Sequence, residues 1–222
     1  PLRVRTGSYV GNGSRLLAIS VGFKPDVVIL KGNLDEDAVV KTATMPGSTS
    51  REIFADVTSP YTDAIRSLDA NGFSVGANAR VNANAISYYW TAFQAGSGEM
   101  AIGTYDGDDQ DNRSITGLGF QPEYVLTMSD DGLWGIHRFE AHVGDQSMTV
   151  EGGSLGPDRI QAFLADGFEL GTNNEVNGST VRYDWIAWNH IPGRIHISSY
   201  PGNGLLTQAI TAPGFPPEYV LQ

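Results

Sequence analysis

The chain has 222 residues, no cysteine and a formal net charge of −11 at pH 7. The lack of cysteine excludes disulfides and thiolate chemistry. The acidity argues against binding to nucleic acid or to an anionic membrane, since both favour positive surface. No apolar run reaches the ~18 residues that a membrane helix needs. The chain begins at Pro1 without a signal-peptide pattern, which suggests a processed or excised product.

Strand signals follow one another along the whole chain. The 27 glycines and 11 prolines supply tight turns between them, so an all-β fold is predicted. Helical spacing is scarce, and its best candidate is the segment 63–70. Strands are predicted at 16–21, 27–30, 38–42, 87–93, 100–105, 114–118, 124–128, 134–139, 181–188 and 195–200.

The sequence repeats itself after about 95 positions. A Tyr-x-Gly turn followed by a Gly-Phe-x-Pro-(Asp/Glu) element occurs three times. An Asn/Asp-Gly-Phe element, a Val-Asn pair and a Tyr-x-Trp strand follow in the first two copies only. The recurring residues include Tyr9, Tyr105 and Tyr200, then Gly22, Gly119 and Gly214, then Asn82 and Asn177.

This repeat predicts two tandem antiparallel β-sandwich units of a jelly-roll or lectin-like kind. A unit of about 100 residues can bury a core alone. The first unit is placed at 1–98 and the second at 99–193. Residues 194–222 form a partial third repeat. We expect this segment to pack on the second unit, to be donated to a neighbouring subunit, or to continue into a complete third unit in the natural protein.

Recurrence distinguishes the two faces of the Tyr-x-Trp strand, because alternate residues of a strand point to opposite sides. The face with Tyr88 and Trp90 keeps its identity in the second copy, whereas Tyr89 on the other face is replaced by Asp184. The recurring aromatic residues are therefore predicted to form the cores. They are Phe23, Phe73, Tyr88, Trp90, Phe120, Phe168, Tyr183, Trp185 and Phe215.

No residue pattern indicates catalysis or a cofactor, so a non-enzymatic protein without a cofactor is predicted. Ser154 lies in a Gly-x-Ser-x-Gly sequence, but that motif needs a strand–turn–helix context, and a loop is predicted instead. The first copy has no histidine, so a metal site common to both copies is not expected. An acidic run lacks the Gly and Glu of an EF-hand loop and predicts at most opportunistic calcium binding. It contains Asp106, Asp108, Asp109 and Asp111.

Four aromatic side chains are candidates for stacking on sugar rings: Tyr61, Tyr89, Trp134 and Trp188. Sugar binding would make the chain a carbohydrate-binding module, in which duplicated sites would add avidity. An aromatic platform exposed in both units would favour that interpretation. A glycosidase of the same fold is a further alternative, and it needs two carboxylates about 5 to 9 Å apart in a groove.

Taken together, the spaced motifs resemble a β-sandwich module that is repeated in structural proteins of tailed phages. In architecture such modules are similar to concanavalin-like lectin sandwiches. The resemblance implies a structural or adhesive role on a virus particle, and it carries no catalytic residues. The motifs are Tyr9-x-Gly11-Asn12-Gly13, Gly22-Phe23-x-Pro25-Asp26, Asn71-Gly72-Phe73, Val81-Asn82 and Tyr88-x-Trp90, with their copies.

The first expectation is therefore a virion structural protein, a decoration, tail or fibre component, which assembles through sheet edges and loops. It would lie on the virion surface or outside the cell. Its partners would be other virion proteins, further copies of the chain and, as an alternative, a host-surface glycan. The second expectation is a carbohydrate-binding, lectin-like module of a phage or of a secreted bacterial protein.

Overall fold

A computed structural model describes residues 1–53, 60–150, 152–153 and 155–220 of the chain. Regular structure is almost entirely β, as the sequence predicts, and all strand pairs are antiparallel. The strands fall into two sets that follow the same order along the chain. No helix among the described residues is long and apolar enough to cross a membrane.

The first unit forms one large sheet and one small sheet, with a single helical turn before the last strand. Its elements are β1 (Arg3–Val10), β2 (Leu17–Ser20), β3 (Val27–Gly32), β4 (Val39–Thr42), β5 (Arg51–Glu52), β6 (Ile65–Asp69), β7 (Gly72–Val75), α1 (Ala79–Asn82) and β8 (Ser87–Gln94). The large sheet has the order β1-β8-β3-β4-β5 and the small sheet the order β2-β7-β6.

The second unit repeats this arrangement strand for strand. Its elements are β9 (Met100–Asp106), β10 (Arg113–Thr116), β11 (Tyr124–Ser129), β12 (Ile136–Phe139), β13 (Met148–Thr149), β14 (Ile160–Leu164), β15 (Gly167–Leu170), α2 (Asn174–Asn177) and β16 (Arg182–Trp188). The large sheet has the order β9-β16-β11-β12-β13 and the small sheet the order β10-β15-β14.

One predicted strand is wrong, and the segment with the best helical spacing does not form a helix. The segment 63–70 contains strand β6 instead of a helix, because Leu68 and Asp69 pair with β7 across the turn at Asn71-Gly72. The segment 195–200 contains no strand, and Ile195 forms an isolated bridge with Ile191.

The recurring aromatic residues lie between the two sheets of each unit. Phe73, Tyr88, Phe168 and Tyr183 are almost completely buried, and Phe23, Trp90, Phe120 and Trp185 are buried with them. Phe215 differs, because it is only half-buried and belongs to a segment without a sheet.

A further core lies between the two units and joins the outer faces of the two large sheets. It contains Val27 and Phe93 from the first unit and Leu126 and Trp188 from the second. Phe93 and Trp188 occupy equivalent positions, and their rings meet edge to face with centroids 6.0 Å apart. The four sheets are therefore stacked in the order small sheet, large sheet, large sheet, small sheet.

The partial third repeat lies against this shared core. Ile195, Ile197 and Tyr219 pack onto it, and the Tyr219 ring centroid lies 6.1 Å from that of Phe93. In a complete unit, the first three strands pair with the fourth, seventh and eighth. Among the described residues 194–220, the counterparts of the first three strands form no strand of their own.

Candidate functional site

The recurring Val-Asn pair holds the loops of the scaffold together. Asn82 is fully buried, and its Nδ2 donates to the carbonyl oxygens of Ser14 at 2.9 Å and Gly76 at 3.0 Å. Its Oδ1 accepts the backbone N–H of Asn12. Asn177 makes the three equivalent bonds in the second unit. These asparagines recur because the fold needs them, since a buried amide must be hydrogen-bonded.

The recurring tyrosines are also structural. Tyr9 stacks on Tyr88 with ring centroids 5.3 Å apart, and Tyr105 stacks on Tyr183 at 5.1 Å. The Tyr9 hydroxyl donates to the Val81 carbonyl at 2.6 Å, and Tyr105 does the same in its own unit. Burial raises the pKa of both Tyr9 and Tyr105. Both hydroxyls therefore stay protonated and act as hydrogen-bond donors.

The third recurring feature is a tryptophan over a glycine. The Trp90 side chain covers Gly7, its partner in register on β1, and Trp185 covers Gly103 on β9. A Cβ at either glycine would overlap the indole ring. The repeat signature is thus used for packing, and residues with a specific function must be sought where the two units differ.

The junction between the units contains buried charges that do not recur. Arg51 is 4% exposed, lies 2.6 Å from a carboxylate oxygen of Asp130 and 3.5 Å from one of Asp184, and donates to the Ser129 carbonyl. Burial lowers the pKa of the nearby Lys41 to about 8, although the Asp184 charge acts in the opposite direction. These contacts cross from one unit to the other and position the two large sheets.

The four candidate sugar-stacking residues have different environments. Tyr89 is 59% exposed, whereas Tyr61 and Trp134 are half-buried. Tyr61 lies under the Arg80 guanidinium, and burial together with Glu52 raises its pKa to about 12.

The interpretation of Trp188 as an exposed ring is wrong. This side chain is 8% exposed and packs against Phe93 in the core between the units. Trp188 lies on the face of its strand that does not recur between the copies, and this face is covered by the first unit.

Tyr89 borders a cleft of about 520 Å³ on the outer face of the first large sheet. The floor comes from β1, β8 and β3, beyond the area that the second unit covers. One wall is formed by residues 218–220 of the partial third repeat. The lining includes Thr6, Ser8, Ile29, Lys31, Tyr89, Thr91, Glu218, Tyr219 and Val220.

The same surface of the second unit is closed. The equivalents of Tyr89 and Lys31 are Asp184 and Met128, which face each other in register and are both buried. The described residues therefore form no aromatic platform that is exposed in both units, and duplicated sugar sites are not supported.

Carboxylates of the acidic run have separate protein partners. Asp108 pairs with Arg113 at 3.3 Å, and Asp109 accepts the backbone N–H of Ser179. In the described part of the chain, no three His, Asp or Glu side chains are grouped so that they could hold a metal ion. Ser154 lies outside the described residues.

No sequence motif indicates that His137 and His142 lie together in the second unit. The His137 ring centroid lies 5.8 Å from that of His142 and 5.5 Å from that of Tyr124. Neither ring nitrogen of His137 has a hydrogen-bond partner among the described residues. Burial, and after it the charge of His142, lowers the pKa of His137 to about 4. The first unit has buried Val40 and Met45 at the equivalent positions.

Comparison with known proteins adds one match. A family model described as a domain of unknown function (DUF7483) matches residues 3–104. The match begins at the first residue of β1, spans the first unit and ends within β9. No curated protein and no solved structure matches the chain.

Proposed function

We propose that this chain is a non-enzymatic structural protein of a virion, a decoration, tail or fibre component that assembles through its surface. The virion assignment is supported by the resemblance of the spaced motifs to repeated modules of tailed-phage structural proteins. The non-enzymatic assignment is supported by the structural use of the recurring polar residues, which hydrogen-bond to the backbone of the scaffold.

One observation carries the assembly role: the partial third repeat exposes large apolar side chains. Leu205 and Leu206 are exposed, and Ile210 is 39% exposed. Ile210 is equivalent to Ile19 and Ile115, which lie in small-sheet strands of the two complete units. Large apolar side chains that are exposed together favour contact with another molecule.

Replacement of β1 by the third copy of another chain is a less suitable mode of assembly. Ser198 in the third copy is equivalent to Gly7, where any Cβ would overlap the Trp90 ring. The third copy could enter that position only if the indole moved. We therefore expect the chains to meet through the exposed apolar side chains.

Native mass spectrometry of the full chain tests the assembly role. We expect species larger than the 23.8 kDa monomer, because burial of exposed leucines stabilises association. Combined Leu205→Asp and Leu206→Asp substitutions should give the monomer. Leu16→Asp is the matched control, since Leu16 is 63% exposed in the first unit, and it should leave the assembly unchanged.

A monomer at high protein concentration would contradict the assembly role, as would an assembly that the leucine substitutions do not affect. The virion assignment has a test of its own, which is protein mass spectrometry of purified virus particles. Peptides of this chain should be present at the copy number of a structural component. Their absence from the particles would contradict the assignment.

A further inference from the structure

The cleft beside Tyr89 has features of a ligand site. We propose that it binds a neutral saccharide, with one sugar ring stacked on Tyr89 and its hydroxyl groups bonded to the polar side chains around it. This inference goes beyond the assembly role and does not depend on it. The volume of about 520 Å³ lies within the range of about 300–1,000 Å³ that is typical of small-molecule sites.

The strand register places polar groups on both sides of the aromatic ring. Ser8 lies opposite Tyr89 on β1, and Lys31 lies opposite it on β3. Two residues further along the same face, Thr6 lies opposite Thr91. An exposed tyrosine flanked by hydroxyl groups and an amine offers an apolar face together with hydrogen-bonding groups at its edge.

The charges that line the cleft favour a neutral ligand. Among the described residues that line the cleft, Lys31 and Glu218 are the two charged ones, and their charges are opposite. The net charge of −11 opposes the approach of anionic sugars. Hydroxyl groups both donate and accept hydrogen bonds, and the hydroxyl groups of a sugar need partners of both kinds.

The partial third repeat completes the site. Tyr219 packs against Phe93, and burial raises the pKa of Tyr219 to about 12. Glu218 and Val220, on either side of Tyr219, are exposed and line the cleft. A ligand would therefore contact the first unit and the third repeat together.

Isothermal titration calorimetry of the full chain with a saccharide panel tests this proposal. The probes are neutral oligosaccharides that end in glucose, galactose, mannose or N-acetylglucosamine, with sialylated and uronic-acid oligosaccharides for comparison. We expect a neutral probe to bind, and Tyr89→Ala to weaken its binding by about tenfold or more. Tyr200→Ala is the matched control, since Tyr200 is also exposed but does not line the cleft, and it should bind as the unaltered chain does.

The proposal is overturned if no neutral probe binds, if only acidic probes bind, or if Tyr89→Ala binds as tightly as the unaltered chain. Near-ultraviolet circular dichroism establishes that each variant is folded. Lys31→Met is a second variant, which places the residue of the second unit at this position and should also weaken binding. The Leu205→Asp and Leu206→Asp variant should retain full saccharide binding, so failure of the cleft and failure of the assembly role are distinguishable.

Discussion

Glu99 and Arg194, which stand at equivalent positions of the second and third copies, form an ion pair of 2.7 Å. The Glu99 carboxylate also accepts the backbone N–H of Leu2, and the Arg194 guanidinium donates to the Leu2 carbonyl. The starts of all three copies therefore meet at one point. This junction holds the partial third repeat against the two complete units.

Glu99→Gln should release the third repeat at neutral pH. The hydrogen bond from Leu2, together with the charge of Arg194, lowers the pKa of Glu99 below its usual 4.5. Its stabilising effect is therefore present above pH 4.5 and is lost as the pH falls through the lower pKa of the folded state.

Limited proteolysis at pH 7 should cleave residues 194–220 faster in the Glu99→Gln variant than in the unaltered chain. Glu140→Gln, at an exposed position away from the junction, is the control, and equal cleavage of the two variants would contradict the prediction.

Gly7→Ala should destabilise the first unit by about 1–3 kcal/mol, because the added Cβ overlaps the Trp90 ring and forces it to move. Denaturant unfolding measures the effect. Gly202→Ala is the control, since a Cβ there meets no atom within 4 Å. Equal midpoints for the two variants would show that the indole does not rest on the glycine.

Asn82→Ala should cost about 2–4 kcal/mol, because it leaves buried backbone groups without partners. The carbonyls of Ser14 and Gly76 and the N–H of Asn12 lose their bonds. Asn84→Ala, two residues away and exposed, should change the free energy of unfolding by less than about 0.5 kcal/mol. A similar effect of the two substitutions would rule out the loop-fastening role of Asn82.

His137 should make the protein sensitive to acid. Its folded pKa of about 4 lies below the usual 6.5, so the unfolded chain binds more protons between these pH values. Stability should therefore fall as the pH drops from 6.5 to 4. His137→Val installs the residue that the first unit has at this position, and it should flatten the fall measured by chemical unfolding at pH 7, 6, 5 and 4. An unchanged fall would assign the acid sensitivity to other groups.

Strand and turn signals predicted the all-β fold, and the recurrence of motifs predicted the equivalence of the two units. Recurrence could not predict the core between the two units, because that core is formed by the strand faces on which the two copies differ. A signal was nevertheless present: the unbroken apolar run Val27–Leu30 is typical of a strand buried on both sides. The burial of Trp188 has the same cause, since its strand also lies between two layers.

The cleft could not be predicted from local patterns. Tyr89 was identified as a candidate, but its surroundings depend on where residues 218–220 fold back, and that is a long-range contact. The lining residues Thr6 and Lys31 carry no distinctive motif. Only the register of β1, β8 and β3 brings these residues close to Tyr89.

The packing of large sheet on large sheet gives the duplication a further consequence. One unit alone would expose Val27 and Phe93 to water, so each unit acts as the solvent shield of the other. The outer faces of the two large sheets are not identical, since Tyr89 in the first unit corresponds to Asp184 in the second. Arg51 of the first unit forms an ion pair with Asp184 across the junction. The two units differ at their contact surface, as the subunits of a heterodimer do, but they belong to one chain. Their association is therefore independent of protein concentration, whereas two separate chains would dissociate on dilution.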